Sequence, residues 1–304
     1  MNRLRNFFVL SIFILLFPLI SCGSHPAFAS TTTEERGDTT LLDLFYGMEK
    51  HYNEDDQCGC ILDSIPGVLK LEIESNWITY GVEENFPYQY KSSFCVYVDS
   101  IFPSQSIANQ VSLLLDSLIR IKFVEYFIEE RTISVDPVSD GHDILNNARK
   151  EFYALDSVMR IPIDQDTLPS ILAFRTSFVA FKVFGNDSVS TYIFESSVDY
   201  NGSCGCPSGA IYYTMNNQTG DILTYLDIVG EGKDSLVYSL QYEEYCKEYK
   251  KKVGSEYDPP LEVKAFEYVM KDNCALVKDG ILFYYQPYEI GSGAEGQYNL
   301  IIKI

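Results

Sequence analysis

Ser177-Phe178-Val179-Ala180-Phe181-Lys182-Val183-Phe184, then Gly185-Asn186-Asp187, then Val189-Ser190-Thr191-Tyr192-Ile193-Phe194 read in order as strand, turn and strand. Aromatic and β-branched side chains suit a pleated, half-buried surface, and the Gly-Asn-Asp run supplies turn chemistry. The two expected strands, Ser177 to Phe184 and Val189 to Val198, are hairpin neighbours. A third such run, Ala210 to Met215, follows them, so the second half is expected to be antiparallel sheet. Twenty-three Tyr and 19 Phe against one Trp extend the β-rich expectation to the whole core.

Toward the N-terminus, Leu69 to Glu74 alternates apolar and polar side chains as a strand does, and the strand Phe94 to Val98 follows. Pro103 closes that segment. Ser104 or Ser106 then caps a helix whose Ile107, Val111, Leu114, Leu118 and Ile121 recur at helical spacing. A second helix, with Asp143 as N-cap, is expected from Asp143 to Met159 on the apolar positions Ile144, Ala148, Phe152 and Leu155, and a short amphipathic one over Leu41 to Tyr52. Toward the C-terminus Asp234 is expected to cap a helix reaching about Val253. There Glu243 stands four residues before Lys247, and Lys250-Lys251-Lys252 lies at the negative end of the dipole. Pro259-Pro260 stops that region. Cys274 to Val277 and Ile281 to Tyr285 flank Lys278-Asp279-Gly280, a hairpin signal, and Tyr298 to Ile304 is a closing strand. The expectation is an α+β fold of antiparallel sheets packed with a few helices, in two similar-sized subdomains.

The first residues carry an address. Arg3 and Arg5 precede the apolar run Phe7 to Ile20, which ends in Leu19-Ile20-Ser21-Cys22. A run of about 14 apolar residues is too short to span a bilayer comfortably, and with a basic flank and a small residue before Cys22 it fits a lipoprotein signal. Cys22 would then be the lipidated N-terminus; a plain secretory cut after Ala29 is the other reading. Both place the protein outside the cytoplasm, and the lipoprotein reading places it in the bacterial cell envelope, membrane-anchored and facing the periplasm or the exterior. The division follows: 1–22 signal and lipobox, 23–62 tether and N-terminal segment, 63–162 N-terminal subdomain, 163–304 C-terminal domain. The stretch Gly23 to Asp38 is rich in Ser, Thr, Gly and charge without periodicity, as a tether would be.

Charge excludes a class of partner. The chain has 23 basic and 43 acidic side chains, a formal charge of -20; removing residues 1–21 takes away Arg3 and Arg5 and no acids, which leaves -22. Phosphate backbones need clustered Lys and Arg, so nucleic acid is excluded as a partner, and the membrane is reached through the lipid anchor only. A field of this sign favours basic proteins and cations.

Tyr212-Tyr213-Thr214-Met215-Asn216-Asn217-Gln218-Thr219-Gly220-Asp221-Ile222-Leu223-Thr224-Tyr225-Leu226-Asp227-Ile228, a helix, and then Asp279-Gly280-Ile281-Leu282-Phe283-Tyr284-Tyr285-Gln286-Pro287-Tyr288-Glu289-Ile290, with Ala294 and Gly296 after it, carry a resemblance. The order resembles the C-terminal domain of the anti-sigma factor RsiV and of the peptidoglycan deacetylase PdaC, and the strand pair and helix before it are similar to the companion domain in those proteins. Coverage would be about residues 65 to 304. The resemblance implies recognition of a cell-wall component or of a basic protein, since RsiV-like proteins bind lysozyme. Tyr288 and Glu289, where the second run ends, are the candidate ligand-binding residues. The sigma-binding segment, membrane-spanning helix and deacetylase domain that accompany the domain elsewhere are not recognisable here, so sigma-factor control and deacetylation are not expected. Family members often place Gly-Gly-Ala-His before the Thr-Gly strand; here Tyr200-Asn201-Gly202-Ser203-Cys204-Gly205-Cys206-Pro207 stands there, without the His.

Besides Cys22 the chain has Cys58, Cys60, Cys95, Cys204, Cys206, Cys246 and Cys274, with Cys-Gly-Cys occurring twice. Export favours disulfides, so these seven are disulfide candidates in a structural role, Cys58-Gly59-Cys60 pinning the N-terminal segment and Cys204-Gly205-Cys206 closing a loop, with the connectivity open and one thiol left over. A four-thiolate metal site and a redox pair are the alternatives, the latter weakened because Asp55 and Asp56 would raise a thiol pKa. Only His25, His51 and His142 exist, and no nucleophile elbow, phosphate loop or His-Glu-x-x-His helix is present. No cofactor or metal is expected. The reading is a lipid-anchored binding or sensing module without catalysis; an envelope glycan or peptidoglycan hydrolase using a carboxylate pair and a scaffold lipoprotein are the competing classes.

Overall fold

The strand pattern builds a five-stranded sheet with a helix pair on one face and a second sheet on the other. The computed structural model describes residues 67–80, 87–127, 137–159, 173–200, 210–260, 263, 266, 273–292 and 295–303. Strands β1 (Val68–Tyr80), β2 (Pro87–Asp99), β3 (Ala173–Gly185), β4 (Val189–Tyr200) and β5 (Ile211–Asn216) lie side by side in sequence order. Pairs are antiparallel except β2 with β3, which run parallel. A parallel neighbour needs a crossover, and the chain between β2 and β3 carries helices α1 (Gln105–Phe127) and α2 (Gly141–Met159). The sheet thus takes strands from both sides of residue 162.

Side-chain alternation sorts the two faces. Phe94, Val96, Val98, Phe178, Ala180, Tyr192 and Phe194 meet Ile107, Val111, Ile144 and Phe152 of α1 and α2 in one core. Their neighbours Tyr97, Val179, Phe181, Ile193 and Tyr212 face the other way, onto Ala275, Val277, Leu282 and Tyr284. Those four belong to a second, antiparallel sheet of β6 (Cys274–Val277), β7 (Gly280–Tyr285) and β8 (Tyr298–Ile302). Its far face, with Ile281, Phe283, Tyr285, Leu300 and Ile302, buries Tyr225 of α3 (Tyr225–Val229) and Val237 and Tyr245 of α4 (Asp234–Val253). The result is four layers: helix pair, five-stranded sheet, three-stranded sheet, helices. All described residues lie in one compact unit, Leu41–Ile304.

Several local expectations change. Ser104 is the cap of α1, accepting from Ile107 N–H at 3.2 Å. Asp140, not Asp143, caps α2: its Oδ1 accepts from the amides of His142 and Asp143, while the Asp143 carboxylate reaches back to Ser139. Asp234 is the first residue of α4 rather than its cap, and its Oδ1 accepts from Tyr225 Oη at 3.0 Å. The Asn217-Gln218-Thr219-Gly220 turn leads to a single bridge at Ile222 and then to α3, whose start is a capping box of Thr224 and Asp227. Lys278 and Asp279 close the β6–β7 hairpin without positive φ, which falls on Gly280 (φ 153); β8 demands glycine there as well, since a Cβ would stand 2.1 Å from the Ile302 carbonyl oxygen. The helix expected over Leu41 to Tyr52 lies outside the described residues.

The two sheets are joined by hydrogen bonds as well as by apolar contact. Leu276 N–H on β6 donates to Thr214 Oγ1 at 2.8 Å, Thr191 Oγ1 lies 2.9 Å from Thr214 Oγ1, and Thr191 Oγ1 donates to the Leu276 carbonyl at 2.7 Å. Each hydroxyl has one proton, so the direction is set: Leu276 N–H to Thr214, Thr214 O–H to Thr191, Thr191 O–H back to Leu276 O. The ring closes on both backbone groups that Leu276 turns away from β7. Thr214→Val keeps shape but leaves the Leu276 amide buried without a partner, and urea denaturation should show a loss of about 1–3 kcal/mol. An unchanged midpoint would mean that the ring contributes nothing.

Candidate functional site

β7 runs into Gln286-Pro287-Tyr288-Glu289, a tight turn closed twice. Glu289 N–H donates to the Gln286 carbonyl at 3.0 Å, and Gln286 N–H donates to Glu289 Oε2 at 2.7 Å. Proline holds a negative φ at the first central position, while Tyr288 at the second has φ 74. Negative then positive φ is the type II pattern, whose second central place belongs to Gly or Asn. Tyr288 is the only non-glycine residue with positive φ among the described residues, and its side chain is 77% exposed. The left-handed conformation costs a side chain with a Cβ about 1–2 kcal/mol, and no burial of the ring offsets it.

Glu289 points the other way. Besides Gln286 N–H it accepts from Asn273 Nδ2 at 3.2 Å, and burial pushes its carboxyl up to about 7 against the pull of the Gln286 amide. The side chains that hold the turn also hold the start of β5. Gln286 Nε2 donates to the Ala210 carbonyl at 2.9 Å; Gln297 takes the Ala210 amide on Oε1 at 2.6 Å and returns Nε2 to the same carbonyl at 3.2 Å. Asn299 Oδ1 fixes the Gln297 amide at 2.8 Å. Behind the turn, Tyr285 Oη donates to Gln241 of α4. The polar groups around Tyr288 are therefore committed inward, and what the turn offers to solvent is one aromatic ring.

The two binding candidates thus have different parts: Tyr288 is the exposed contact and Glu289 the buried brace. Gln297 and Asn273, which complete the brace, were not legible, because Gln297 meets Ala210 across 87 residues of sequence. The other carboxyls with raised values lie on different elements. Burial pushes Asp99, at the end of β2, up to about 6, although it accepts from Lys182 N–H at 2.8 Å. Burial, then Glu151, pushes Asp116 on α1 up to about 7. On α4, Glu244 pairs with Lys247 at 2.5 Å, in place of the expected Glu243 to Lys247 pair.

The thiol expectation changes for three residues. No disulfide forms at Cys95, Cys246 or Cys274, which stand on β2, α4 and β6. Cys22, Cys58, Cys60, Cys204 and Cys206 lie outside the described residues, as do His25 and His51. Among the described residues no group of three or more His, Cys, Asp or Glu side chains gathers as a metal site, and no helix is long and apolar enough to cross a membrane.

If Tyr288 is strained for a contact outside the fold, relieving the strain should stabilise the protein. Tyr288→Asn, which tolerates this φ, is expected to raise unfolding stability by about 1 kcal/mol in a urea titration. A loss of stability would show that the ring packs within the fold.

Residues 227–304 match the model of a family described as "Protein of unknown function (DUF3298)". That span runs from within α3 through β8 and contains the turn, Asn273 and Gln297. None of the curated proteins matches the chain. Among solved structures, it is similar to a DUF3298 family member from Bacteroides fragilis, with 16% identity over 78% of this chain and 90% of that one and a TM-score of 0.41. It is likewise similar to a DUF3298 family protein from Pseudomonas aeruginosa, with 12% identity over 80% and 92% of the two chains and a TM-score of 0.43.

Proposed function

We propose that the protein is a lipid-anchored envelope module that binds or senses a partner and performs no chemistry of its own. The observation that carries this reading is Tyr288, a strained and exposed ring on a turn braced from behind by Glu289, Gln286 and Asn273. Strain that no packing of the strained side chain offsets is a feature of ligand contacts. The Asp279 to Ile290 run, which contains this turn, also carries the likeness to RsiV and PdaC, and the family match over residues 227–304 is consistent with it.

The partner class follows from charge and from the turn. A formal charge of -20 over the whole chain draws basic surfaces, and an exposed Tyr face attracts Arg and Lys side chains. A basic protein such as lysozyme is the first partner to test, and a peptidoglycan fragment the second. Anchoring at Cys22 holds the module at the membrane, and Cys22→Ser should release it; a variant that still took up palmitate would remove the lipobox from the account.

Calorimetry with lysozyme tests recognition. Binding should be strongest near 0.01 M salt, where the Debye length is about 30 Å, and weaken toward physiological ionic strength, where it is about 8 Å. Tyr288→Ala should remove most of the affinity while the thermal transition is kept. Absence of heat with both lysozyme and peptidoglycan fragments at low salt would sink the reading.

A further inference from the structure

Among the described residues, the contact between α1 and α2 buries more negative than positive charge. Asp116 on α1 and Glu151 on α2 are each 6% exposed, and Arg120, one turn after Asp116, donates from Nε to Glu151 Oε1 at 3.1 Å. Ser112, one turn before Asp116, is fully buried, and its hydroxyl has no hydrogen-bond partner among the described residues. A polar strip thus runs along the flank of α1 that meets α2. The sheet face beneath adds no charge: its described buried residues there are Leu71, Ile73, Phe94, Val96, Phe178 and Phe194, with the uncharged Thr176 and Ser196. On α2, Arg149 and Lys150 are exposed. Asp99 stands at the far end, its backbone against Gly141 at the start of α2.

Two carboxylates and one guanidinium leave one negative charge in excess, and an unpaired buried charge is costly enough that the group takes up a proton instead. We propose that Asp116, Arg120 and Glu151 form a proton-operated latch between α1 and α2, closed while Asp116 holds a proton and loosened when that proton leaves. Both helices cover the same face of the five-stranded sheet, so loosening the latch frees α2 before it disturbs the three-stranded sheet that carries Tyr288.

The direction of the effect follows from linkage. Burial first, then Glu151, raises the Asp116 carboxyl from 3.8 to about 7, against the pull of Arg120. A group raised in the closed state contributes stability that is complete below its ordinary value and is lost as pH climbs to the raised one. The opening constant of α2 should therefore rise about tenfold per pH unit between about 4 and 7 and level off above that.

Native-state hydrogen exchange on the full protein, corrected for intrinsic rates, reads this at α1 and α2 amides. In Asp116→Asn, which mimics the protonated carboxyl, the slope should fall by one proton, with protection equal to wild type near pH 3 and progressively greater from about pH 4 to pH 8. Equal slopes in the variant and wild type would overturn the latch. If the variant does not fold, the carboxyl carbon shift of Asp116 in the wild type decides: it should titrate near neutrality, and titration below about 5 would overturn the proposal.

Discussion

The outer edge of β6 is the constraint on which the rest of the structure depends. A four-residue edge strand presents backbone groups that water or another chain would otherwise claim, and here both groups of Leu276 are met by Thr191 and Thr214 from the other sheet. Because the hydroxyls sit on β4 and β5, the three-stranded sheet can dock in only one register. Tyr284 Oη adds a bond to the Tyr212 carbonyl at 3.2 Å, and the Gln286 and Gln297 amides hold Ala210 just before β5. Polar bonds with fixed geometry thereby orient an apolar contact that has no directional preference of its own.

That docking is what positions the candidate site. Gln286 follows the last residue of β7, so alternation along Leu282 and Tyr284 carries its side chain toward the five-stranded sheet, where it finds Ala210. Glu289 then closes the turn from inside, and the geometry left over forces Tyr288 outward with a positive φ. The strain at Tyr288 is a consequence of bonds made elsewhere, which is why the turn holds its shape without packing of the ring.

Much of the fold was legible because periodicity is local. Strand positions over Phe178 to Phe194, the Ser104 cap and the helix after it, and the β6–β7 pair all announce themselves within a few residues. What was not legible depends on meetings across the chain. Nothing near Gly280 signals that Ile302 will pack on its Cα, and nothing near Gln297 signals Ala210. The β2–β3 parallel pairing likewise needs knowledge of where α1 and α2 cross. At the site, Tyr288 and Glu289 could be singled out from the end of a motif, but their division into contact and brace required the turn geometry.

If the hydroxyl ring and the Ala210 clasp make the two sheets one unit, they must unfold together. Differential scanning calorimetry at pH 5, combined with hydrogen exchange at β2 and at β7, tests this directly. The account predicts a single transition with equal calorimetric and van't Hoff enthalpies and matching opening free energies for the two strands. Two transitions, or β7 amides opening well below β2 amides, would contradict it.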